Sequence, residues 1–579
     1  MISFLKSKLL WIILLILIIA PTFVFFLNHD YFNMHDDMQM VRQLEMEKCL
    51  LDGQIPCRWT PDLGFGYGYP LFNFYPPLPY FVGEVIRITG VSFVTTIKIT
   101  ALVQIVLSAI FMFILASAIF GNLGGLISAL FYTLSPYHAV NIYIRGAMNE
   151  AWASVFFPLI FYFAYKLIKT KEFRFIIGLS LSWTGLLLSH NPMALTFAPF
   201  FLIWCTYWLA DTYGFKNILN LLKNKNIYSK LLFSGILAVF LSAFFTLPVL
   251  LESKFVQIES MFTNYYYFSV HFISVSQLFL SSFWGDGPSV WGPYDGMSYS
   301  IGFLHWLIPL IIFFYFILNS IKNKKIDRKL TLPVMIFFLG MFSVFMTHNK
   351  STFIWNAIPL VQKIQFPWRF LSHASFLLSL SAGIFPYIIH KLFKNKVSIF
   401  VSILLIISVV VLNTIYFRPL QSGPLSDEQK FSGLAWRNQI TSGIYDYLPK
   451  TAQKAASYPA KDYIDKTEPE DTITSIWGQK KGTDWMFFNL SLNKDSQVFI
   501  SQLAFPNFMV YDNGQLITYS IEPELGRIVL SLKTGDHQIY VKLHNTPVRT
   551  ISNYLSLATW VFVLIYISRG LWIKSIYKK

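Results

Sequence analysis

The chain has 579 residues, of which 54% are apolar and only 13% are charged, whereas soluble domains carry about a quarter charged residues. This composition excludes an ordinary soluble globular protein, and the many apolar windows of about 20 residues predict a polytopic membrane protein. The net charge of +16 does not indicate nucleic-acid binding, because Lys and Arg cluster in short segments between apolar runs, as they do in cytoplasmic loops.

The chain opens with the apolar run "LLWIILLILIIAPTFVFFL". This run is too long for a cleavable signal peptide and no small-x-small cleavage site follows it, so it predicts a retained signal anchor. Lys6 and Lys8 precede the run, which puts the N-terminus on the cytoplasmic side.

The remaining basic clusters set the predicted topology. They occupy residues 166–174, 216–230, 322–329 and 391–396 and the C-terminal "RGLWIKSIYKK", and all of them are cytoplasmic under the positive-inside rule. One assignment of about twelve spans satisfies them all, with both termini inside and the loops 28–94, 139–148, 251–298, 348–369 and 417–551 outside. The predicted spans are 9–27, 95–118, 122–138, 149–168, 174–190, 193–210, 231–250, 299–320, 330–347, 370–390, 397–416 and 552–573.

The first outer loop begins "NMHDDMQMVRQLEMEKC", with His35, Asp36 and Asp37 side by side where a span ends. The apolar spacing that follows, in a segment containing Arg42, predicts a helix along the membrane interface. One alternative is that Asp36 or Asp37 merely caps this helix. That alternative explains one carboxylate and leaves the neighbouring histidine unexplained, so these four residues are candidates for a site.

The same loop continues with "PCRWTPDLGFGYGYPLFNFYPPLPY", residues 56–80, which is dense in Gly, Pro and aromatic residues. We expect an irregular segment that offers stacking faces for a sugar, or alternatively a plain interfacial anchor. The segment 78–90 is too short to cross the membrane and is predicted to be an interfacial helix.

Cys49 and Cys57 either form a disulfide, which an outer location would permit, or remain two unrelated thiols. Cys205 is predicted to be a packing residue.

Two further outer span ends carry polar residues. In "SPYHAVNIYIRGAMNEAWA", Arg145 and Glu150 bracket a predicted helix start; charges at span depth usually have a partner or a function, and the alternative to a site is a mutual salt bridge. In "LLLSHNPMAL", His190 and Asn191 follow a span, and the alternative there is a hydrogen-bonded helix end.

A third outer span end reads "VQKIQFPWRF" and contains Trp368 and Arg369. The alternative here is an interfacial Trp beside a snorkelling Arg. Packing of the spans would gather these polar groups around one cavity at the outer membrane boundary. A lipid-linked phosphate suits such a cavity, because Arg presents planar donors to phosphate oxygens and a carboxylate could take a proton from an acceptor hydroxyl.

Residues 417–551 are polar and contain the alternating segments "DWMFFNLSL", "SQVFISQLAF" and "HQIYVKLH". Period-two alternation predicts strands, and "DNG" at 512–514 and "KTGD" at 533–536 predict hairpin turns. We expect a small extracytoplasmic antiparallel β-sandwich at residues 417–551. The last span, residues 552–573, would follow it in a C-terminal unit, 552–579, that ends in a basic cytoplasmic tail.

The segments "HDDMQMVRQL", "RWTPDLGFGYGYP", "RGAMNEAWA", "SHNP" and "QFPWRF" resemble those of GT-C type membrane glycosyltransferases, and most closely the YfhO-like bacterial group, some members of which are labelled "6-pyruvoyl-tetrahydropterin synthase-related". The resemblance covers nearly the whole chain and implies a GT-C-like transmembrane domain at 1–416. It implies a catalytic acidic residue at Asp36, with Asp37 as the other candidate, and a second acidic site at Glu150. An acidic-x-acidic pattern is absent at Glu150, which leaves a divalent metal without a clear motif, and no other cofactor is expected.

The predicted function is transfer of a sugar from a polyprenyl-phosphate-linked donor to a glycan, lipid or protein acceptor of the cell envelope. Asp36 and Asp37 would be catalytic, and the substrate-binding candidates are His35, Arg42, Arg145, Glu150, His190, Asn191, Trp368 and Arg369. We expect a multi-pass protein of a prokaryotic plasma membrane, with the active site and β-domain outside. The alternatives are a transporter or flippase of lipid-linked sugars and a non-catalytic scaffold with a glycan-binding β-domain.

Overall fold

The computed structural model describes residues 2–28, 30–214, 225–393 and 395–576. Three of the predicted cytoplasmic basic segments fall partly outside the described residues. They are the segment 216–230, in which 216–224 are not described, the segment 391–396 at residue 394, and the tail at 577–579.

Nine helices in the described part of the chain are long and apolar enough to cross a membrane. A tenth candidate is the pair Asn226–Leu241 and Ala243–Phe255, which is bent by 82°. The chain is thus a polytopic helical membrane protein, as predicted. The nine helices are Lys8–Leu27, Phe93–Thr133, Met148–Thr170, Asn191–Tyr213, Phe303–Asn323, Arg328–Met346, Pro367–Leu392, Lys396–Tyr416 and Pro547–Arg569.

The difference between about twelve predicted spans and nine long helices has three sources. The predicted spans 95–118 and 122–138 fall largely on one helical stretch, Phe93–Thr133, whose backbone is non-helical at Gly121. The predicted span 231–250 falls on the bent pair, and the predicted span 174–190 falls on the helix Phe173–Ser189, which has only 17 residues.

The described chain forms two compact units that interleave along the sequence. The first unit consists of residues 1–37, 94–238 and 262–425, and it holds most of the long apolar helices. The second unit consists of residues 38–93, 239–261 and 426–579. The second unit therefore combines the C-terminal β-region with most of the first predicted outer loop.

A two-stranded antiparallel sheet in the first unit was not predicted. Strand β1 (Asp30–Phe32) follows the first apolar helix, and it pairs with β2 (Ser422–Pro424), with Tyr31 opposite Gly423. The backbone N–H of Asn33 extends this pairing by donating to the carbonyl of Gln421. The segment that leads to His35 is thus fixed to a distant part of the same unit.

The second unit contains the predicted antiparallel β-sandwich. One sheet has the order β3-β6-β10-β9 and the other has the order β4-β5-β11-β7-β8. Side chains from both sheets, such as Phe488 on β5 and Ile500 on β6, meet in one buried core. The strands are β3 (Ile464–Glu468), β4 (Ile473–Lys481), β5 (Trp485–Leu492), β6 (Ser496–Leu503), β7 (Phe508–Asp512), β8 (Gln515–Ile517), β9 (Ser520–Ile521), β10 (Arg527–Leu532) and β11 (Gly535–Leu543).

Only one of the two predicted hairpin turns is a hairpin. The two-residue turn Asn513–Gly514 joins β7 to β8 with Asp512 opposite Gln515, and both turn residues have positive φ, as a hairpin turn of this length requires. The prediction for "KTGD" was wrong. This segment joins β10 to β11, which belong to different sheets, because a local turn signal does not distinguish a hairpin from a crossing between the layers of a sandwich.

The aromatic segment 56–80 provides neither a free stacking surface nor an interfacial anchor. Trp59 and Tyr67 are fully buried, Phe74 is nearly so, and all three belong to the core of the β-sandwich. The ring of Trp59 packs edge-on to Phe508 at 5.1 Å. The prediction was wrong because clustered aromatic residues fit a membrane interface and a domain core equally well, and sequence alone does not show which surface covers them.

Two helices flank this segment in the second unit. The first, Gln39–Leu51, matches the predicted helix, and its N-cap residue is Met38 with no side-chain capping bond. The alternative that Asp36 or Asp37 caps this helix was therefore wrong. The second helix, Leu78–Arg87, lies where the interfacial helix was predicted.

A buried polar network holds the segment after the first of these helices in place. Arg58 donates to Asn73 Oδ1 at 3.0 Å and to Asn553 Oδ1 at 2.7 Å. Asn73 donates to Glu252 Oε2 at 2.9 Å, and Arg549 donates from Nε to the same oxygen at 2.9 Å. The network joins this segment to the bent helix and to the C-terminal helix within the second unit.

Cys49 and Cys57 form a disulfide, while Cys205 is buried and free, as expected of a packing residue. The bridge closes a short loop immediately before the buried Trp59. It therefore restricts the unfolded chain next to a residue that the sandwich core needs.

We predict that the double variant Cys49→Ser, Cys57→Ser is less stable by about 2–3 kcal/mol, the loop-closure entropy of a bridge of this length. The measurement is the thermal unfolding midpoint of the full chain in detergent, with Cys205→Ala as the control for loss of a thiol. An unchanged midpoint in the double variant would contradict the stabilising role of the bridge.

Candidate functional site

The centre of the candidate site is an ion pair between Arg145 and Glu150 in the first unit. Arg145 Nη1 lies 2.8 Å from Glu150 Oε2, and the side chain of Glu150 is almost fully buried. The same nitrogen donates to the hydroxyl of Tyr137 at 3.0 Å and to Asn141 Oδ1. A buried charge is tolerated only when it is paired and hydrogen-bonded in this way. The predicted alternative of a mutual Arg–Glu salt bridge is thus confirmed as a contact.

The carboxylate of Glu150 also lies near a second arginine. Arg369 Nε lies 3.9 Å from Glu150 Oε2, and the other carboxylate oxygen accepts hydrogen bonds from Tyr137 at 2.8 Å and Ser372 at 3.2 Å. One carboxylate therefore faces two guanidinium groups, and these three side chains together carry one positive charge. Burial raises the pKa of Tyr137, so its hydroxyl keeps the proton that it donates.

The local fold explains how Arg145 reaches this position. A short helix, Pro136–Ala139, continues into a π-helical turn, Val140–Ile144. Tyr137, Asn141 and Arg145 are four residues apart, which places their side chains on one face. Glu150 lies in the first turn of the following helix, Met148–Thr170, so the pair spans the break between two helical segments.

The acidic segment of the first loop is hydrogen-bonded to the backbone beside Arg145. The N–H of His35 donates to the carbonyl of Ile144 and the N–H of Asp36 to the carbonyl of Arg145, both at 2.8 Å. Gly146 permits this approach, since its φ is +63° and a Cβ there would lie 2.2 Å from Met34 Sδ. Asp36 and Arg145 are therefore held together by main-chain bonds.

Asp37 has a different environment from Asp36. Its Oδ1 accepts a hydrogen bond from the hydroxyl of Tyr31 at 3.2 Å. Burial raises the pKa of Tyr31 and the nearby Asp37 carboxylate raises it further, so the phenol remains a donor. Both carboxylates are half-buried, whereas His35 is exposed.

His190 and Asn191 mark the start of a helix, as the predicted alternative held. His190 is the N-cap of Asn191–Tyr213, and its Nδ1 accepts a hydrogen bond from the backbone N–H of Met193 at 3.2 Å. Partial burial and the positive charge of Arg369 lower the pKa of His190, so the ring is neutral near pH 7. It can accept or donate a hydrogen bond beside the cluster without adding charge.

Trp368 and Arg369 do not behave as an interfacial Trp and a snorkelling Arg, so that alternative was wrong. Trp368 is buried between Phe366, whose ring stacks on it at 4.3 Å, and Tyr299 at 5.1 Å. The guanidinium of Arg145 lies 5.6 Å from the centre of the Trp368 ring. Both residues thus face inwards, towards the buried Glu150.

Arg42 contacts an aromatic residue of its own unit. It belongs to the second unit, where Nη1 donates to the hydroxyl of Tyr75 at 2.9 Å and the guanidinium packs over the ring of that tyrosine.

Among the described residues, no three His, Cys, Asp or Glu side chains are grouped so that they could hold a metal ion.

Four residues of the site were not predicted from the sequence: Tyr31, Tyr137, Asn141 and Ser372. The four-residue spacing of Tyr137, Asn141 and Arg145 is a signal that could have identified the first helical turn as part of the site. No such signal exists for Ser372, which lies 222 residues from Glu150 along the chain.

No protein-family model matches the chain. A protein of Lactococcus lactis subsp. cremoris (strain MG1363), described as uncharacterized, is 25% identical over 339 residues, which is 57% of this chain and 52% of that protein. The chain thus spans about half the length of this relative.

Two solved structures of the oligosaccharyltransferase of Archaeoglobus fulgidus also align with the chain. One is the apo form, with a TM-score of 0.45 over 79% of this chain. The other is tethered by a disulfide to an acceptor peptide containing the NVT sequon, with a TM-score of 0.44 over 80% of this chain. Both are 12% identical to the chain, which covers 62% of their length. A likeness at this level defines neither the activity nor the substrates of this protein.

We predict that Glu150→Gln destabilises the protein by about 3–5 kcal/mol, because it leaves two buried guanidinium groups without their shared carboxylate. The thermal unfolding midpoint in detergent measures the effect. The matched control is Glu172→Gln, which removes an exposed partner of Arg174 and should cost less than about 1 kcal/mol. Equal midpoints for the two variants would contradict the role assigned to Glu150.

Proposed function

We propose that the protein is a membrane glycosyltransferase of the GT-C type, related to the YfhO-like group, that transfers a sugar from a polyprenyl-phosphate-linked donor to a glycan, lipid or protein acceptor. The observation that carries the proposal is the pair of backbone hydrogen bonds that holds Asp36 beside Arg145. A candidate base and a candidate phosphate ligand are thus adjacent. The motif resemblance in the same segments also supports it.

The donor phosphate would bind to Arg145 and Arg369. These two guanidinium groups both face the carboxylate of Glu150, and the three side chains together carry one positive charge. Arg is suited to this role because its planar donors match phosphate oxygens. Glu150 and Tyr137 orient Arg145, and the neutral ring of His190 would orient a hydroxyl or phosphate oxygen nearby.

The chemical step would be a single displacement at the anomeric carbon of the donor sugar. Asp36, assisted by Asp37, accepts the proton of an acceptor hydroxyl as that oxygen forms its bond to the anomeric carbon. The bond between the anomeric carbon and the phosphate oxygen breaks, and its electron pair leaves with polyprenyl phosphate. The two arginines stabilise the charge on that leaving group, and attack from the opposite face inverts the anomeric configuration.

The proposal places the protein in a prokaryotic plasma membrane with the site on the outer face. The polyprenyl tail would stay in the bilayer while its phosphate meets the cluster at a helix end. This orientation follows from the positions of the basic segments. A cysteine-labelling experiment on intact cells tests it directly, because residues near Asp36 should react with a membrane-impermeant reagent.

We predict that Asp36→Asn lowers turnover of the donor by about 10²–10⁴-fold, the usual contribution of a general base, with little change in binding of the lipid phosphate. The measurement uses the full chain in lipid vesicles, a panel of synthetic polyprenyl-phosphate hexoses, and release of polyprenyl phosphate. Asp37→Asn, measured in parallel, shows which carboxylate takes the proton.

The matched control is Asp30→Asn, since Asp30 lies in the same segment and contributes main-chain bonds to β2 and Lys98 that Asn preserves. Undiminished transfer by both Asp36→Asn and Asp37→Asn would remove these residues from the catalytic role. Movement of the donor lipid across the vesicle without release of polyprenyl phosphate would instead favour a flippase. A comparison of surface glycans by mass, with and without the protein, would then identify the acceptor.

We predict that Gly146→Ala reduces turnover strongly, by about 10²-fold, although it removes no polar group. The added methyl group collides with Met34 and displaces Asp36 from Arg145. Gly90→Ala is the control, because Gly90 also has a positive φ but has open space around it. Similar activity in both variants would show that the main-chain contact is not needed.

A further inference from the structure

The outer loop of the first unit contains a cavity that the proposed mechanism does not use. Its volume is about 410 Å³, which falls within the range of small-molecule sites. It is open on one side and lies between the segments 274–283 and 292–299. The lining residues are Ser274, Ser276, Gln277, Ser281, Phe283, Gly292, Pro293, Asp295, Met297, Ser298 and Tyr299.

The walls of the cavity are fixed by local hydrogen bonds. Ser274 and Gln277 form a reciprocal capping box at the start of the helix Val275–Phe279. Across the loop, the N–H of Gly285 donates to Ser298 Oγ at 2.8 Å. Gly287 and Gly296 touch through their backbones, where a Cβ on either would lie about 3 Å from the other residue. The cavity is therefore a built feature of the loop.

The lining combines the groups that bind sugars. Four serine hydroxyls and the amide of Gln277 supply hydrogen-bonding partners, and the rings of Phe283 and Tyr299 supply apolar faces. Asp295 Oδ1 accepts a hydrogen bond from the backbone N–H of Met297, and its buried Oδ2 has no partner within hydrogen-bond distance. The side chain of Gln277 lies close enough to the carboxyl group to stabilise its charged form. Burial raises the pKa of Asp295 to about 6. An unused carboxylate oxygen beside an amide is a good acceptor for a pair of sugar hydroxyls.

The cavity is connected to the charged cluster through one aromatic layer. Tyr299 forms part of the cavity wall and stacks on Trp368 at 5.1 Å with an angle of 22° between the rings. On the other side, the guanidinium of Arg145 approaches Trp368. All three belong to the first unit, and Tyr299 and Trp368 share one buried cluster with Tyr137.

We propose that this cavity binds a mono- or disaccharide, and that it is the subsite for the acceptor sugar. The assignment of the cavity as the acceptor subsite rests on the proposed function, whereas sugar binding by the cavity does not. Asp295 and Gln277 would accept and donate hydrogen bonds to the sugar hydroxyls, and the exposed ring of Phe283 would cover its apolar face. The rings of Tyr299 and Trp368 would separate an acceptor sugar held here from Arg145, one of the two arginines proposed for the donor phosphate.

Binding is tested with the full chain in lipid nanodiscs by saturation-transfer difference NMR. The probes are methyl β-glucoside, methyl β-galactoside, N-acetylglucosamine, rhamnose and cellobiose. We expect at least one of them to bind, and Asp295→Asn and Phe283→Ala to weaken that binding at least tenfold. The matched controls, Asp286→Asn and Tyr294→Ala, change an aspartate and an exposed aromatic residue of the same loop outside the lining, and they should bind within twofold of the unmodified chain.

A third variant, Ser276→Phe, tests the cavity if the first two variants lower the stability of the protein. Ser276→Phe adds a ring at the mouth of the cavity without removing a buried group, and Val275→Phe adds the same ring one residue away, outside the lining. We expect loss of binding in the first and retention in the second. Failure of every probe to bind the unmodified chain, or unchanged binding in Ser276→Phe and Asp295→Asn, would overturn the proposal.

The donor assay separates the two proposals. If Ser276→Phe transfers sugar with an unchanged KM for the acceptor, the cavity is not the acceptor subsite and the transferase proposal stands. If a probe binds through the cavity but no polyprenyl-phosphate hexose is turned over, the sugar site stands and the transferase proposal falls.

Discussion

The carboxylate of Glu150, shared between Arg145 and Arg369, is the interaction on which the candidate site depends. Its burial makes the pairing obligatory, since either partner alone would be an uncompensated charge in an apolar surrounding. Glu150, Arg145 and Arg369 together carry one positive charge. The structural role of Glu150 is thus compatible with the anion binding proposed for the two arginines.

Main-chain contacts place the acidic segment beside this pair. The two N–H groups of His35 and Asp36 bind carbonyls next to Arg145, and β1 pairs with β2 just before them. Such bonds fix the backbone of the segment that carries Asp36, the residue proposed as the general base.

Hydropathy and charge placement were sufficient to predict a polytopic helical protein, and period-two alternation was sufficient to predict its β-sandwich, because these signals are local. Arg145, Glu150 and Arg369 were found as candidates because charged residues at span depth usually have a partner or a function. The pairing of β1 with β2 and the contact of Ser372 with Glu150 could not be predicted, since each joins parts of the chain hundreds of residues apart. The aromatic segment 56–80 was misassigned for a related reason: its composition shows that it must be covered, but the covering strands come from the other end of the sequence.

The long sequence separation between the aromatic segment and the strands that cover it affects folding during synthesis. Tyr67 accepts a hydrogen bond from Gln502, 435 residues later in the chain, and Trp59 lies in the same core. At about 5–20 residues per second, a ribosome needs roughly 20–90 s to synthesise the intervening length. During that interval the aromatic segment has been translated but its partner strands have not. The aromatic side chains therefore lack their core partners until translation is nearly finished. A chaperone or the lipid surface must cover them during that time to prevent aggregation.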